Sequence, residues 1–111
     1  MNPLDRYLET HLNESIAELS RFCAQPSVAA QNLGIAEAAE MTAAMLRRRG
    51  FRVEIIPTGG SPVVYGEREG RNRNRTLLFY NHYDVQPPEP LELWETPPFQ
   101  PTLRDGKLYA R

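Results

Sequence analysis

The sequence of 111 residues predicts an α/β fold, two helices followed by about four strands, from the changing spacing of its apolar residues and the placement of its prolines and glycines. As far as Arg49 the apolar residues recur every three or four positions, as they do along one face of a helix. From Phe51 they alternate or run together, as they do in strands. Gly50 stands at the changeover, where a helix C-terminus favours glycine.

In the first helix Leu4, Leu8, Leu12, Ile16, Leu19 and Cys23 share one stripe, with Asn2 as cap and Pro3 in the first turn. Pro26 disfavours helical backbone in the residue before it, so this helix is expected to stop near Gln25. The second is expected from Leu33 to Arg49, with Ile35, Ala38, Ala39, Thr42, Met45 and Leu46 inward. Arg47 to Arg49 complement the negative end of its dipole, a structural role preferred here over contact with nucleic acid.

Phe51, Val53 and Ile55 alternate with Arg52 and Glu54 as in a half-buried strand, and Pro57 to Pro62 make a turn into a second strand, Val63 to Glu67, pairing antiparallel with the first. The Arg- and Asn-rich stretch Glu67 to Arg75 reads as an exposed loop. Thr76 to Tyr80, a short continuous apolar run, fits a central strand buried on both faces. Six of the ten prolines fall between Pro87 and Pro101, which rules out regular helix or central strand there. Asp105-Gly106 suits a two-residue hairpin between Thr102–Arg104 and Lys107–Tyr109.

With 41% hydrophobic residues, 24% charged residues and a net charge of −1, the chain has the composition of one globular domain over residues 1–111, and no field to gather nucleic acid. Such a chain buries roughly two-thirds of its unfolded surface. Cys23 is the sole cysteine, so no internal disulfide forms, and its place on the apolar stripe marks it as a small buried hydrophobe rather than a nucleophile. Met1 to Leu12 lacks the apolar core of a signal peptide, and no apolar run is long enough to span a membrane. A cytoplasmic protein with no membrane partner is expected.

The chemistry-bearing residues are His82 and Asp84, just past the carboxyl end of the Thr76–Tyr80 run, where functional groups gather in open α/β sheets. In extended backbone, residues two apart face the same side, so the Asp84 carboxylate can approach the His82 ring. A metal-bound imidazole commonly donates its other N–H to such a group. Taken alone a His-x-Asp is weak evidence for a metal, since it more often forms a surface ion pair or a hydrogen-bonded turn. His11 lies among helix residues without a partner cluster and reads as a surface or boundary histidine.

The stretch Leu77-Leu78-Phe79-Tyr80-Asn81-His82-Tyr83-Asp84-Val85-Gln86-Pro87, followed by Trp94-Glu95, Pro98-Phe99 and Asp105 to Arg111, resembles the co-catalytic zinc exopeptidases. That family includes carboxypeptidase G, acetylornithine deacetylase, succinyl-diaminopimelate desuccinylase and the carnosine-type dipeptidases. Pro26-Ser27-Val28, the second helix and Phe51 to Pro57 follow its order of elements. The resemblance implies an incomplete N-terminal segment, residues 1–111, of a three-layer αβα catalytic domain. It makes His82 a ligand of one zinc ion and Asp84 the residue that orients it.

The Val-Gln-Pro and Trp-Glu continuation resembles the dipeptidase-like branch, implying a small peptide or N-acyl amino acid as substrate. Asn81 departs from the glycine of many relatives and places an extra amide beside the ligand. Complete relatives hold two zinc ions, a bridging Asp and a general-base Glu, and often form homodimers. With one imidazole, the chain alone is expected to bind zinc weakly or not at all and to be inactive. The competing reading is a non-catalytic interaction module, or a degenerate fragment, keeping the first half of the fold.

Overall fold

The computed structural model describes residues 1–111. They form a mixed α/β structure of three α-helices and four strands, in two compact units: Met1–Gln25 with Pro88–Arg111, and Pro26–Pro87.

In the first unit the single expected helix is two, α1 (Pro3–Thr10) and α2 (Leu12–Ala24). Asn2 caps α1 by accepting the Asp5 N–H at 2.8 Å. The break lies at His11, whose φ of −104° and ψ of 9° leave the helical range. Thr10 Oγ1 donates to the Arg6 carbonyl at 2.8 Å, and His11 Nδ1 lies 2.8 Å from the Tyr7 carbonyl while its ring stacks on Tyr7 with centroids 4.0 Å apart. Side chains that reach back to carbonyls one turn earlier compete with the backbone ladder and bend helices. The apolar stripe is not covered, since Leu4, Leu8, Leu12 and Leu19 are each more than half exposed, and only Ile16 and Cys23 are half-buried.

The proline-rich segment holds no regular element beyond a 3-10 turn at Leu91–Leu93. Strands β1 (Arg52–Ile56) and β2 (Val63–Glu67) belong to the second unit, so the closing hairpin is β3 (Thr102–Arg104) and β4 (Lys107–Tyr109), antiparallel, with Arg104 opposite Lys107. Asp105 and Gly106 both take positive φ, 51° and 74°, the pair of left-handed conformations a two-residue turn of this kind requires. The Arg104 guanidinium sits 4.0 Å over the Tyr109 ring and pairs with Glu95.

In the second unit Val28 and Leu33 bridge to each other around a 3-10 turn, Ala29–Gln31. Helix α3 (Ile35–Arg48) then starts two residues later than its apolar pattern suggests, because Gly34 is left-handed at φ 69°. Ile35, Ala38, Ala39 and Ala43 are its buried residues, with Thr42, Met45 and Leu46 half-buried beside them. Its C-terminal carbonyls are met by arginines: Arg49 Nη1 donates to Met45 and Arg68 Nη1 to Arg49, each at 2.9 Å. Gly50, at φ 82°, turns the chain into β1 (Arg52–Ile56).

Strand β1 pairs antiparallel with β2 (Val63–Glu67), Arg52 facing Glu67 and Ile56 facing Val63. The alternation is as expected: Val53, Ile55, Val64 and Gly66 are half-buried, with exposed residues between them. Helix α3 packs against both strands, and a Cβ on Gly66 would lie 3.1 Å from Leu46 Cδ1, so glycine permits the close approach.

Thr76–Tyr80 departs from expectation, being neither strand nor buried. Leu77, Leu78, Phe79 and Tyr80 are each about four-fifths exposed or more. A strand exists only where a neighbour takes its N–H and C=O groups. Within its own unit the only sheet is the two-stranded β1–β2 pair, which this run does not join. No helix is long and apolar enough to cross a membrane.

Replacing Gly50 with Ala would force a side chain into left-handed backbone. The Gly50→Ala variant should lose about 1 kcal/mol or more, seen as a lower urea midpoint at unchanged slope; an unshifted midpoint would show that the turn tolerates a Cβ.

Candidate metal-binding site

His82 and Asp84 lie on the segment that follows the exposed apolar run, and the structure brings them together. His82 Nδ1 is 2.9 Å from the Asp84 backbone carbonyl and 3.3 Å from Asp84 Oδ1. The nearer partner is therefore the peptide oxygen, with the carboxylate second, where the sequence suggested the carboxylate alone. A carbonyl oxygen only accepts, so this contact places the proton on Nδ1 and leaves the lone pair on Nε2. With the His82 side chain 77% exposed, Nε2 is accessible to an incoming metal ion. A ligand histidine requires this arrangement.

Three further contacts hold the segment. Ser27 Oγ donates to the Tyr83 carbonyl at 2.7 Å, the Val85 N–H donates to the Ser27 carbonyl at 2.8 Å, and the Tyr83 hydroxyl donates to the Pro62 carbonyl at 2.5 Å. Partial burial, and then the negative charge of Asp84, push the Tyr83 phenol above the ordinary tyrosine range, which keeps it a donor. Neither Ser27 nor Tyr83 stands out as a site residue in the sequence. Ser27 sits outside both helical stripes, and its only signal is its place within Pro26-Ser27-Val28.

No three His, Cys, Asp or Glu side chains converge anywhere to form a closed metal cluster. The donor chemistry at His82 fits one arm of a zinc centre, an accessible imidazole nitrogen backed by an oriented acceptor; a catalytic zinc takes about three such protein ligands. His11 likewise has Nδ1 against a carbonyl, that of Tyr7 one turn back in its own helix. A shallow hollow is lined by Met1, Pro3, Arg6, Tyr7, Thr10 and His11 and includes neither His82 nor Asp84. Burial pushes the Cys23 thiol up, which disfavours the thiolate that a nucleophile or metal ligand needs. Asn81 is exposed beside His82.

Comparison with known proteins agrees on one family. Residues 78–111 match peptidase family M20/M25/M40, a span that contains His82 and Asp84. The succinyl-diaminopimelate desuccinylase of Delftia acidovorans is 41% identical over 91 residues, covering 78% of this chain and 23% of that protein. The same enzyme from Bordetella avium is 40% identical over 88 residues, covering 79% and 22%. Among solved structures, an M20 family metallo-carboxypeptidase from Sulfolobus solfataricus superposes with a TM-score of 0.83 at 37% identity, covering 88% of this chain and 22% of that one. The chain thus spans a little under a quarter of the length of these relatives.

The Tyr83 hydroxyl bond gives a test by pH. Tyr83→Phe should cost about 1 kcal/mol at neutral pH. A phenol whose folded value is raised contributes stability fully below its unfolded value of about 10, and loses it as pH rises through the folded one. Chemical denaturation followed from neutral to strongly alkaline pH should therefore show the variant's deficit shrinking at the alkaline end; a constant deficit would assign the loss to packing.

Proposed function

We propose, for a chain that resembles the N-terminal part of the M20/M25/M40 peptidases, that it supplies one zinc ligand to a hydrolase that cleaves an amide bond with metal-activated water. One observation carries the reading: His82 presents Nε2 to solvent while Nδ1 is held by Asp84, inside the block that matches the family. His82 is then the ligand and Asp84 the residue that sets its tautomer, orientation and basicity. When bound, the metal lowers the pKa of its water and polarises the scissile carbonyl. Further ligands and a general base come from polypeptide outside these 111 residues.

The substrate class that best accords with the similarity to two succinyl-diaminopimelate desuccinylases is an N-acyl amino acid, with a small peptide as the neighbouring possibility in the same chemistry. Both present a secondary amide flanked by a carboxylate. A cytoplasmic place of action accords with a single, half-buried cysteine and no disulfide.

The chain has two histidines, which makes the test a clean one. Zinc added to the protein labelled with nitrogen-15 should move the Nε2 signal of His82 and leave that of His11 in place, with weak affinity because one imidazole acts alone. Asp84→Ala should weaken the response by about 10- to 100-fold. A zinc response that survives His82→Ala would overturn the assignment, and amide hydrolysis by the 111-residue chain, lost with chelator, would overturn the division of the site.

A further inference from the structure

Ser27 is the one polar residue that is buried, 5% exposed, and both ends of its hydrogen-bonding capacity go to the same short segment. Its hydroxyl donates to the Tyr83 carbonyl at 2.7 Å, and its carbonyl accepts the Val85 N–H at 2.8 Å. These groups belong to the two peptide planes that flank the Asp84 Cα. A peptide unit is rigid and planar, with C=O and N–H pointing in opposite directions when trans. The plane whose N–H is bound by Ser27 therefore directs its other end, the Asp84 carbonyl, away from Ser27, and this is the oxygen 2.9 Å from His82 Nδ1. With both planes held, φ and ψ of Asp84 are set, and with them the direction in which its side chain leaves the backbone; its Oδ1 lies 3.3 Å from the same nitrogen.

Ser27 is itself anchored. Val28, next in sequence, is fully buried, its N–H bonds the Leu33 carbonyl at 2.8 Å, and the Leu33 N–H returns to the Val28 carbonyl at 3.1 Å. Leu33 leads through Gly34 into α3, whose first residue, Ile35, is also buried. The packed helix thus has a short, hydrogen-bonded route to the otherwise exposed histidine.

We propose that Ser27 is the positioning residue of the His82–Asp84 pair: by gripping both peptide planes around Asp84 it holds the acceptor that keeps the His82 proton on Nδ1 and frees Nε2 for metal. This rests on the reading of His82 as a zinc ligand, but the tautomer is measured without metal, so the two stand or fall separately.

The experiment records the ring nitrogen-15 signals of His82 in the metal-free full chain, with the imidazole neutral, and then the zinc titration. Ser27→Ala, which frees the Tyr83 plane and leaves the Ser27 carbonyl on the Val85 N–H, should move His82 part of the way from the Nδ1–H toward the Nε2–H tautomer and weaken the zinc response by up to about tenfold, the scale of a lost supporting contact behind a ligand. Ser27→Thr, which keeps the hydroxyl, should restore the Nδ1–H form. Ala43→Gly, destabilising α3 without touching the segment, should lower the melting temperature and leave the tautomer unchanged. Should Ser27→Ala not fold, Ser27→Cys keeps the volume with a weaker donor and should shift the tautomer in the same direction. An unmoved tautomer in a folded Ser27 variant, or an equal shift in Ala43→Gly, overturns the proposal. A shifted tautomer together with zinc binding indifferent to His82→Ala supports the positioning role and removes the metal reading alone.

Discussion

The closure of Val28 on Leu33 is the contact on which the second unit depends. It buries the only large side chain with no exposed surface, brings the chain back on itself before α3, and leaves Ser27 facing the segment that carries His82. The rest of that core is small: Ile35 and three alanines under the β1–β2 hairpin. Small residues let helix and strand backbones approach closely, as Gly66 against Leu46 shows, but each contributes little apolar area. A core built this way is held as much by its hydrogen-bonded closures as by its volume, so a polar residue such as Ser27 can lie inside it without penalty, its donor and acceptor both satisfied.

What the sequence made legible is what local chemistry controls. Helix α3 and its stop at Gly50, the β1–β2 pairing and the Asp105-Gly106 turn each follow from residues within a few positions of one another, and apart from the later start of α3 at Ile35 each is where the pattern places it. The misreadings are of two kinds. At His11 the helical period was right, but the backbone kinks to ψ 9° while the His11 N–H keeps its bond to the Tyr7 carbonyl at 3.0 Å, a local bend that apolar spacing does not register. At Thr76–Tyr80 the composition of a central strand is present without a neighbour to pair with it, because strand formation is a property of two segments and composition describes one.

The candidate site divides along the same line. His82 and Asp84 stood out because the block around them resembles a known family, while their two-residue spacing made only a local contact possible, and their side chains do meet. Ser27 stands 56 residues from the carbonyl it holds, and Tyr83 reaches 21 residues back to Pro62. Neither link has a periodic signature. The family-like block supplies the proposed ligand and its acceptor, while the hydrogen bonds that hold that acceptor come from a distant tripeptide ahead of α3.

Comparison of the two histidines shows why that distant grip matters to function. Both rings place Nδ1 within 2.9 Å of a backbone carbonyl, so local geometry alone would make either a candidate with a free Nε2. His11 takes its acceptor from its own helix, four residues back, beside a ring it stacks on, and shares that carbonyl with its own backbone N–H. His82 takes an acceptor that is clamped on both sides from a buried residue, although the imidazole itself is 77% exposed. Ordering an exposed side chain costs conformational entropy that a surface hydrogen bond barely offsets. Where the acceptor is already immobile, much of that cost has been met by the packing of Val28 and α3, and a ligand nitrogen is left facing solvent in a fixed direction. Preorganisation of this sort does little for the stability of a surface histidine and a great deal for metal affinity, which is why the proposed ligand role is tied to the supporting contacts.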